Sequence, residues 1–313
     1  MAHSTKETTE EAAAALLLAL GRYGQSNPKE ETPEFVRDKL QELEKELSDI
    51  SDAKKSGYLE AQEKSPGLCD DAFKLQHLRC EIFNVKPAAK RIVAYWDKRL
   101  EIFGPERAFL PLTLSHALKD DTSSLHVGFL RNTLQKDDAG RAILFVDPSR
   151  FPPDQAYDRH SMVRALWYNI HSAIEEDDVQ RKGVVIIAHP EHVARSQIDQ
   201  KLMKMNVTCI RGCLPVRIAA FHVCNPPFFF ELLFPIVKLL MGERLRKRIK
   251  IHSDRNGKKN KSTKGEGSVE ESTVIRKLVD KYGIDKIKIP TEVGGGNTID
   301  HVQWLEDRKV ASL

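Results

Sequence analysis

The sequence predicts an α/β protein: a mostly parallel sheet flanked by helices, preceded by an all-helical N-terminal module. Two observations carry this. Apolar residues recur at helical spacing through the first third of the chain. From about residue 137, short apolar runs alternate with helical patterns, the signature of strands joined by crossover helices.

Taken in order, Thr32-Pro33 reads as an N-cap followed by proline at the first helical position. Val36, Leu40, Leu43, Leu47 and Ile50 follow at a seven-residue period. Two heptads are too few to identify a coiled coil, so the expectation is a helix packed on its own domain. Leu75, Leu78 and Ile82 mark a second helix. Ile92, Trp96, Leu100 and Phe103 mark a third, entered at Pro87 and closed by Gly104. Asp137-Asp138-Ala139-Gly140 is a turn before the strand Ala142–Val146. Val163, Leu166, Trp167, Ile170 and Ile174 share one helix face. Val184–Ala188 is apolar throughout, as in a strand covered on both faces. Another helix (Ile198, Leu202, Met205), a strand over Val216–Val223 and an edge strand over Arg248–His252 complete the layer. Residues 254–268 read as a solvated loop. A last helix through Val274, Ile275, Leu278 and Val279 leads to Pro290 and Gly294-Gly295-Gly296.

Composition excludes several classes. With 41% hydrophobic and 30% charged residues over 313 positions, the chain is ordinary for a globular protein. It contains no run of about 18 apolar residues that would suggest a membrane span. The apolar Ala12–Leu20 stretch follows Glu7, Glu10 and Glu11, where a signal peptide needs positive charge. Five cysteines without a Cys-x-x-Cys pair suggest reduced thiols and a cytoplasmic protein. The net charge of +4 is unevenly spread. Arg244–Lys264 holds ten basic residues and one acid, a net +9, leaving −5 for the rest.

The least usual segment is Pro227–Met241, apolar all round at helical pitch apart from Glu231 and Lys238. It is too short to span a bilayer, and Pro235 would bend it. Two readings fit: a core helix covered on every side, or a helix with one face on a cavity and the other at a membrane surface. The adjoining +9 segment favours the second, because an apolar element beside a basic cluster docks on anionic lipid. Nucleic acid is not expected as a partner, since no aromatic residue interleaves the charges. Catalytic signals are weak. His189-Pro190-Glu191-His192 lacks zinc-helix spacing and reads as a strand-end turn, and no phosphate-binding or nucleophile-elbow motif occurs. No cofactor, metal or enzymatic activity is expected, although catalytic residues scattered along the chain would escape linear motifs.

Three stretches carry a family resemblance: Leu214-Pro-Val-Arg-Ile-Ala-Ala-Phe-His-Val-Cys-Asn-Pro-Pro-Phe228, Glu243-Arg-Leu-Arg-Lys-Arg-Ile-Lys-Ile-His252 and Ile289-Pro-Thr-Glu-Val-Gly-Gly295. In that order and spacing they resemble the CRAL-TRIO lipid-binding domain. Leu78-Arg79-Cys-Glu-Ile-Phe83 and the helix through Trp96 resemble the helical module preceding it. The resemblance covers about residues 70–296 and implies a helical module over 61–115 and the lipid-binding domain over 116–296, which leaves 1–60 as an unmatched helical extension, partly disordered, and 297–313 as a tail. It also implies that the sheet and its helices enclose a hydrophobic pocket for one lipid or other hydrophobic molecule. The implied gate helix and pocket use Phe228, Phe229, Phe230, Leu233, Phe234, Val237, Ile186 and Phe221. In the tocopherol- and retinaldehyde-carrier branch, residues matching Arg217, Arg244 and Arg248 form a phosphoinositide patch. Arginine suits that task because its planar fork binds phosphate oxygens in pairs. The implied protein is a carrier that exchanges its ligand at an anionic membrane and associates with it peripherally. The alternative is a lipid-sensing or scaffold module that recruits a protein partner through residues 1–60. The chain departs from the branch at Glu81, where a further patch arginine would stand. It departs from the phosphatidylinositol-transfer branch at Val216, Leu245 and Arg248, and from the usual acid after the central strand at His189.

Overall fold

The computed structural model describes residues 13–25, 27–254 and 272–313. Residues 13–21 form α1. Helix α2 (Pro33–Asp49) starts where the cap signal predicts, with the Thr32 hydroxyl accepting the Phe35 N–H at 3.2 Å. Its Leu43 and Leu47 are buried against its own domain, as expected from a short heptad pattern. Helices α3 (Ser56–Lys64), α4 (Asp71–Cys80) and α5 (Val85–Phe103) complete this helical layer. Gly104 ends α5 with φ 74°, a conformation that favours glycine. The boundary expected at residue 60 falls inside α3, because α2 and α3 both pack on α5 and share its core. The first 12 residues of the expected, partly disordered extension lie outside the described residues.

Helix α6 (Ser123–Val127) leads into a five-stranded sheet of order β1-β2-β3-β4-β5. The strands are β1 (Leu130–Lys136), β2 (Ala142–Val146), β3 (Val184–Ala188), β4 (Ile218–Cys224) and β5 (Ile249–His252). β1 runs antiparallel to β2, and the remaining neighbours are parallel. β1 has no place in the sequence reading because it lacks an apolar run. Its polar residues are buried through specific partners: Arg131 pairs with Glu292 at 2.7 Å, and the Thr133 hydroxyl donates to the Ile143 carbonyl at 2.7 Å.

Helices α7 (Arg159–Ala173), α9 (Gln200–Gly212) and α10 (Phe230–Arg246) lie on one face of the sheet, with α8 (Asp177–Lys182) against α4. The other face is covered by α11 (Thr273–Arg276), the segment after it and Tyr23. Side chains alternate between these two cores along β2 and β3, as the period of a strand requires. In β4 the register shifts, so that Ala219 and Ala220 both belong to the second core. This extra residue resets the alternation and puts Ile218, Phe221 and Val223 on the same face. Residues 297–313, expected as a tail, contain α12 (His301–Val310), docked on the helical face. There Arg308 pairs with Glu175 at 2.6 Å, and the His301 ring donates to the Leu125 carbonyl at 2.8 Å.

The chain from α1 is held against the second core. Arg141, fully buried and paired with Asp137 at 3.0 Å, donates to the carbonyl of Leu20 at 2.6 Å. Tyr23 then meets His222 at 3.1 Å, and His222 meets His252 at 2.9 Å. Burial holds His222 down to about 3 and His252 to about 4. Burial does the same to His77, at about 3, whose Nδ1–H donates to the Phe73 carbonyl. These rings stay neutral in the folded protein at pH values where unfolded histidines, near 6.5, are protonated. Below pH 6.5 the unfolded chain therefore binds more protons, and stability falls with pH until the lowered values are reached. The urea midpoint should decline steadily from pH 6.5 to 4.5. In His77→Phe the decline should be shallower, by up to about 1.4 kcal/mol per pH unit. An unchanged slope would mean that His77 titrates alike in both states.

Candidate ligand cavity and its basic margin

Between the sheet and helices α7, α9 and α10 lies a cavity of about 220 Å³. Its floor is the alternation of the central strands: Leu144 and Val146 of β2, Ile186 and Ala188 of β3, and Ile218, Phe221 and Val223 of β4. Leu166 and Ile170 of α7 and Leu202, Val207 and Ile210 of α9 wall it. The cover is α10. Phe230, Leu233, Phe234, Val237 and Met241 recur at three- and four-residue spacing and face the cavity, joined by Phe229 just before the helix.

The opposite side of α10 is largely apolar, broken by Glu231 and Lys238, and it faces solvent. Phe228, Leu232 and Leu239 are 77%, 72% and 76% exposed. Phe228 is thus the one expected pocket residue that does not line the cavity. It precedes the helix by two residues, and consecutive positions near a helix point in different directions. The other seven expected lining residues do contribute to the wall. Met203, Leu233 and Val237 also border a surface groove between α9 and α10, so one layer of side chains separates cavity from exterior there.

Backbone devices position this cover. Asn225 ends β4 in the left-handed region, φ 49°. Its side chain accepts the Asp254 N–H at 2.9 Å and donates to the Asp254 carboxylate at 3.2 Å, tying β4 to the end of β5 before the chain turns into α10. Gly242, φ 68° and ψ 172°, breaks the helical path so that Arg244–Arg248 can turn back to β5. In the Pro-x-Glu-x-Gly-Gly stretch, Glu292 is the partner of buried Arg131, and a Cβ on Gly295 would stand 2.1 Å from the Ile289 carbonyl.

The basic residues gather where α10 meets β5, but not as an open patch. Arg217 is buried, 7% exposed, and its guanidinium donates to the Arg181 carbonyl at 2.5 Å. Arg248 is half-buried and donates to the Ile218 carbonyl. Of the three, Arg244 alone has an exposed side chain, and it pairs with Glu81 at 2.8 Å. Arg217 and Arg248 thus turn inward, to a carbonyl of the last turn of α8 and to the first carbonyl of β4, while Arg244 reaches outward. The 255–264 half of the basic run lies outside the described residues. Glu81, buried at the end of α4, also holds Arg91 at 2.5 Å. Burial pushes its carboxyl up, but the charges and hydrogen bonds of Arg91 and Arg244 outweigh this and hold it below its usual range.

Sequence reasoning missed α9 as a wall. A signal was available: Leu202, Asn206 and Ile210 share a helix face, and the asparagine interrupts an apolar stripe. The His189–His192 turn stays a turn, with the His189 ring 2.9 Å from Glu191. Among the described residues no group of three or more His, Cys, Asp or Glu side chains is placed to hold a metal, and all five cysteines are free.

Residues 130–270, which span the sheet, the cavity and α10, match the family described as the CRAL/TRIO domain. This chain carries a CRAL-TRIO domain. It is 31% identical over 226 residues to the Homo sapiens alpha-tocopherol transfer protein-like, which covers 71% of this chain and 64% of that protein. The Mus musculus alpha-tocopherol transfer protein-like is 30% identical over 194 residues, 60% of this chain and 53% of its own. Homo sapiens clavesin-2 is 25% identical over 191 residues, covering 59% and 56%. The match thus spans between 53% and 64% of these relatives' length. The crystal structure of Sfh5 superposes with a TM-score of 0.52 at 14% identity, over 90% of this chain and all of that one, and shares the fold.

Glu81 is the acid on which the arginines at the margin of the CRAL-TRIO domain converge. Glu81→Gln keeps its shape and removes its charge, leaving two guanidinium groups without their counter-charge. Urea unfolding should show a loss of about 3 kcal/mol, as when one partner of a buried pair is removed. A loss under about 1 kcal/mol would mean that water compensates both arginines.

Proposed function

We propose that this CRAL-TRIO protein binds one hydrophobic molecule, a lipid or similar compound, in the cavity under α10 and exchanges it at anionic, phosphoinositide-containing membranes. The reading requires no catalysis. One observation carries it: α10 turns one apolar face to a cavity and another to solvent. Binding follows from burial, at roughly 2.5 kcal/mol for each 100 Å² of apolar ligand surface removed from water. The relatives named for tocopherol transfer support a carrier of this kind.

Magnitudes decide how the membrane is held. Each cation near an anionic surface contributes about 1 kcal/mol. Each large apolar side chain fully buried contributes about 1.5–3 kcal/mol. Phe228, Leu232 and Leu239 together therefore outweigh Arg244, and the basic margin selects the surface that the apolar face then enters. Because Arg217 and Arg248 face inward, Arg244 with the adjoining exposed Arg246 and Lys247 is the part available to phosphate. Among the described residues no helix is long and apolar enough to cross a membrane. The proposed association is peripheral, at the cytoplasmic leaflet where anionic lipids concentrate.

The first test is organic extraction of purified protein followed by mass spectrometry, together with transfer between donor and acceptor vesicles. A retained hydrophobic molecule and net transfer are expected. Retention without transfer would make the protein a sensor, and a folded protein that takes up no offered lipid would end the carrier reading. The second test is a pair of variants. Leu232→Glu/Leu239→Glu should abolish sedimentation with vesicles of any charge, whereas Arg244→Glu should weaken it several-fold only when the vesicles contain phosphoinositide. Equal loss in Arg244→Glu on neutral vesicles would overturn the assignment of roles.

A further inference from the structure

Strand β5 is the last of the sheet, and only one of its edges is paired. The ladder to β4 fixes which of its groups are used. The N–H groups of Phe221 and Asn225 donate to the Arg248 and His252 carbonyls at 3.0 and 2.9 Å. The register is parallel and sets Phe221 beside Ile249 and Cys224 beside His252. In a parallel ladder, alternate residues turn both backbone groups to the same neighbour. Arg248, Lys250 and His252 therefore turn to β4, and the N–H and C=O of Ile249 and Ile251 turn to the open edge. No described residue pairs with these outward groups.

Side chains divide the strand by face. Ile249 lines the cavity, and Ile251, on the same face, is 45% exposed. Lys250 and His252 point to the opposite face, where His252 meets Tyr282 with ring centres 5.6 Å apart. Burial keeps the His252 ring neutral, and the charges of Lys277, Lys281 and Lys250 act in the same direction, so all three cations surround this side of the edge. Lys277 and Lys281 are exposed, with Asp280 between them in sequence, which leaves the side net positive.

An edge strand with free N–H and C=O groups is a template for a further strand, and lysine on it discourages pairing with another copy. A second copy's β5 would set its own Lys250 beside this one, and like charges across paired strands are destabilising. The same charge leaves the edge open to a strand of opposite sign. We infer that the free edge of β5 docks an extended segment of a partner protein in which apolar and acidic residues alternate. Its backbone completes a ladder with Ile249 and Ile251, its apolar side chains lie against Ile251, and its acidic side chains meet Lys250, Lys277 and Lys281. Alternation is required because a slip of one residue moves every acid to the apolar face. The site lies outside the cavity and is independent of what the cavity holds.

The test uses the full chain and an acetylated peptide of three Val-Glu repeats, with binding read by calorimetry and by amide hydrogen exchange. The peptide should bind and slow exchange at the Ile249 and Ile251 amides. The Lys250 and His252 amides, already bonded to β4, should change little. N-methylation of the peptide at its valines or at its glutamates removes one row of N–H groups. The row facing β5 should weaken binding about tenfold or more when methylated, and the other should not. Ile251→Pro should have the same effect, because its N–H faces the open edge and proline there leaves the ladder to β4 intact. Lys250→Glu should weaken the Val-Glu peptide several-fold and admit one of Val-Lys repeats. No binding of the Val-Glu peptide by folded wild type overturns the inference. So does binding that Ile251→Pro and both methylated peptides leave unchanged, or that a scrambled peptide of the same composition matches, since the contact is then ionic alone. If Ile251→Pro does not fold, the methylated peptides decide. None of these outcomes alters the lipid retention and transfer that test the carrier reading.

Discussion

A helix on the surface of a globular protein ordinarily buries an apolar stripe and wets a polar one. Before Gly242, helix α10 has only Glu231 and Lys238 to wet and no continuous polar stripe. Its inner row, Phe230, Leu233, Phe234, Val237 and Met241, lies over a cavity and not against close-packed side chains. Its outer row leaves Leu232 and Leu239 in water. Both rows are therefore less buried than their chemistry favours, and the helix is held by its ends more than by its faces. That condition sets the requirements for the surrounding elements.

The ends are secured by polar contacts. At the N-terminal end, Asn225 and Asp254 bind each other across β4 and β5, and Asp254 also accepts from the Ser272 hydroxyl at 2.8 Å and the Val274 N–H at 3.0 Å. At the C-terminal end, Gly242 turns the chain, Arg244 reaches Glu81, and Arg248 reaches the Ile218 carbonyl. Each of these joins α10 to a strand or a helix whose own packing is complete. The helical module contributes through Glu81, whose partners lie on α5 and on α10. An arginine at that position would add charge to the margin. The glutamate instead couples the module to the end of the cover.

How much of this was legible in the sequence depended on whether the cause was local. The Thr32 cap, the helix stop at Gly104 and the apolar runs of β2 and β3 are set by neighbours along the chain, and the sequence displays them. The apolarity of α10 was equally visible, and its inner row lines the cavity. What was not legible depended on distant partners. β1 hid because Arg131 and Thr133 look exposed until Glu292 and the Ile143 carbonyl are placed beside them. The three arginines were grouped by position in a motif, whereas each side chain's direction depends on a partner far along the chain: the Arg181 carbonyl for Arg217, the Ile218 carbonyl for Arg248 and the Glu81 carboxylate for Arg244. The extra residue in β4 changes which side chains share a face, and a period-two pattern shifted in mid-strand cannot be read in advance.

The same constraint governs exchange on the proposed reading. Moving α10 away in water would expose five apolar side chains of its inner row, each contributing about 1.5–3 kcal/mol when fully buried. Because they border a cavity they are less than fully buried, so the sum is nearer 5 than 15 kcal/mol, which still confines the open form to a small minority in solution. A bilayer changes this by accepting the inner and outer rows together. It can favour opening only to the extent that it binds the open form better than the closed one. The outer row is exposed in the closed form already, so it attaches the protein without favouring either state. The inner row is buried when closed, so it alone supplies the difference. On that reading, attachment and gating reside on opposite faces of one helix, and its apolar outer row serves the first as its inner row serves the second.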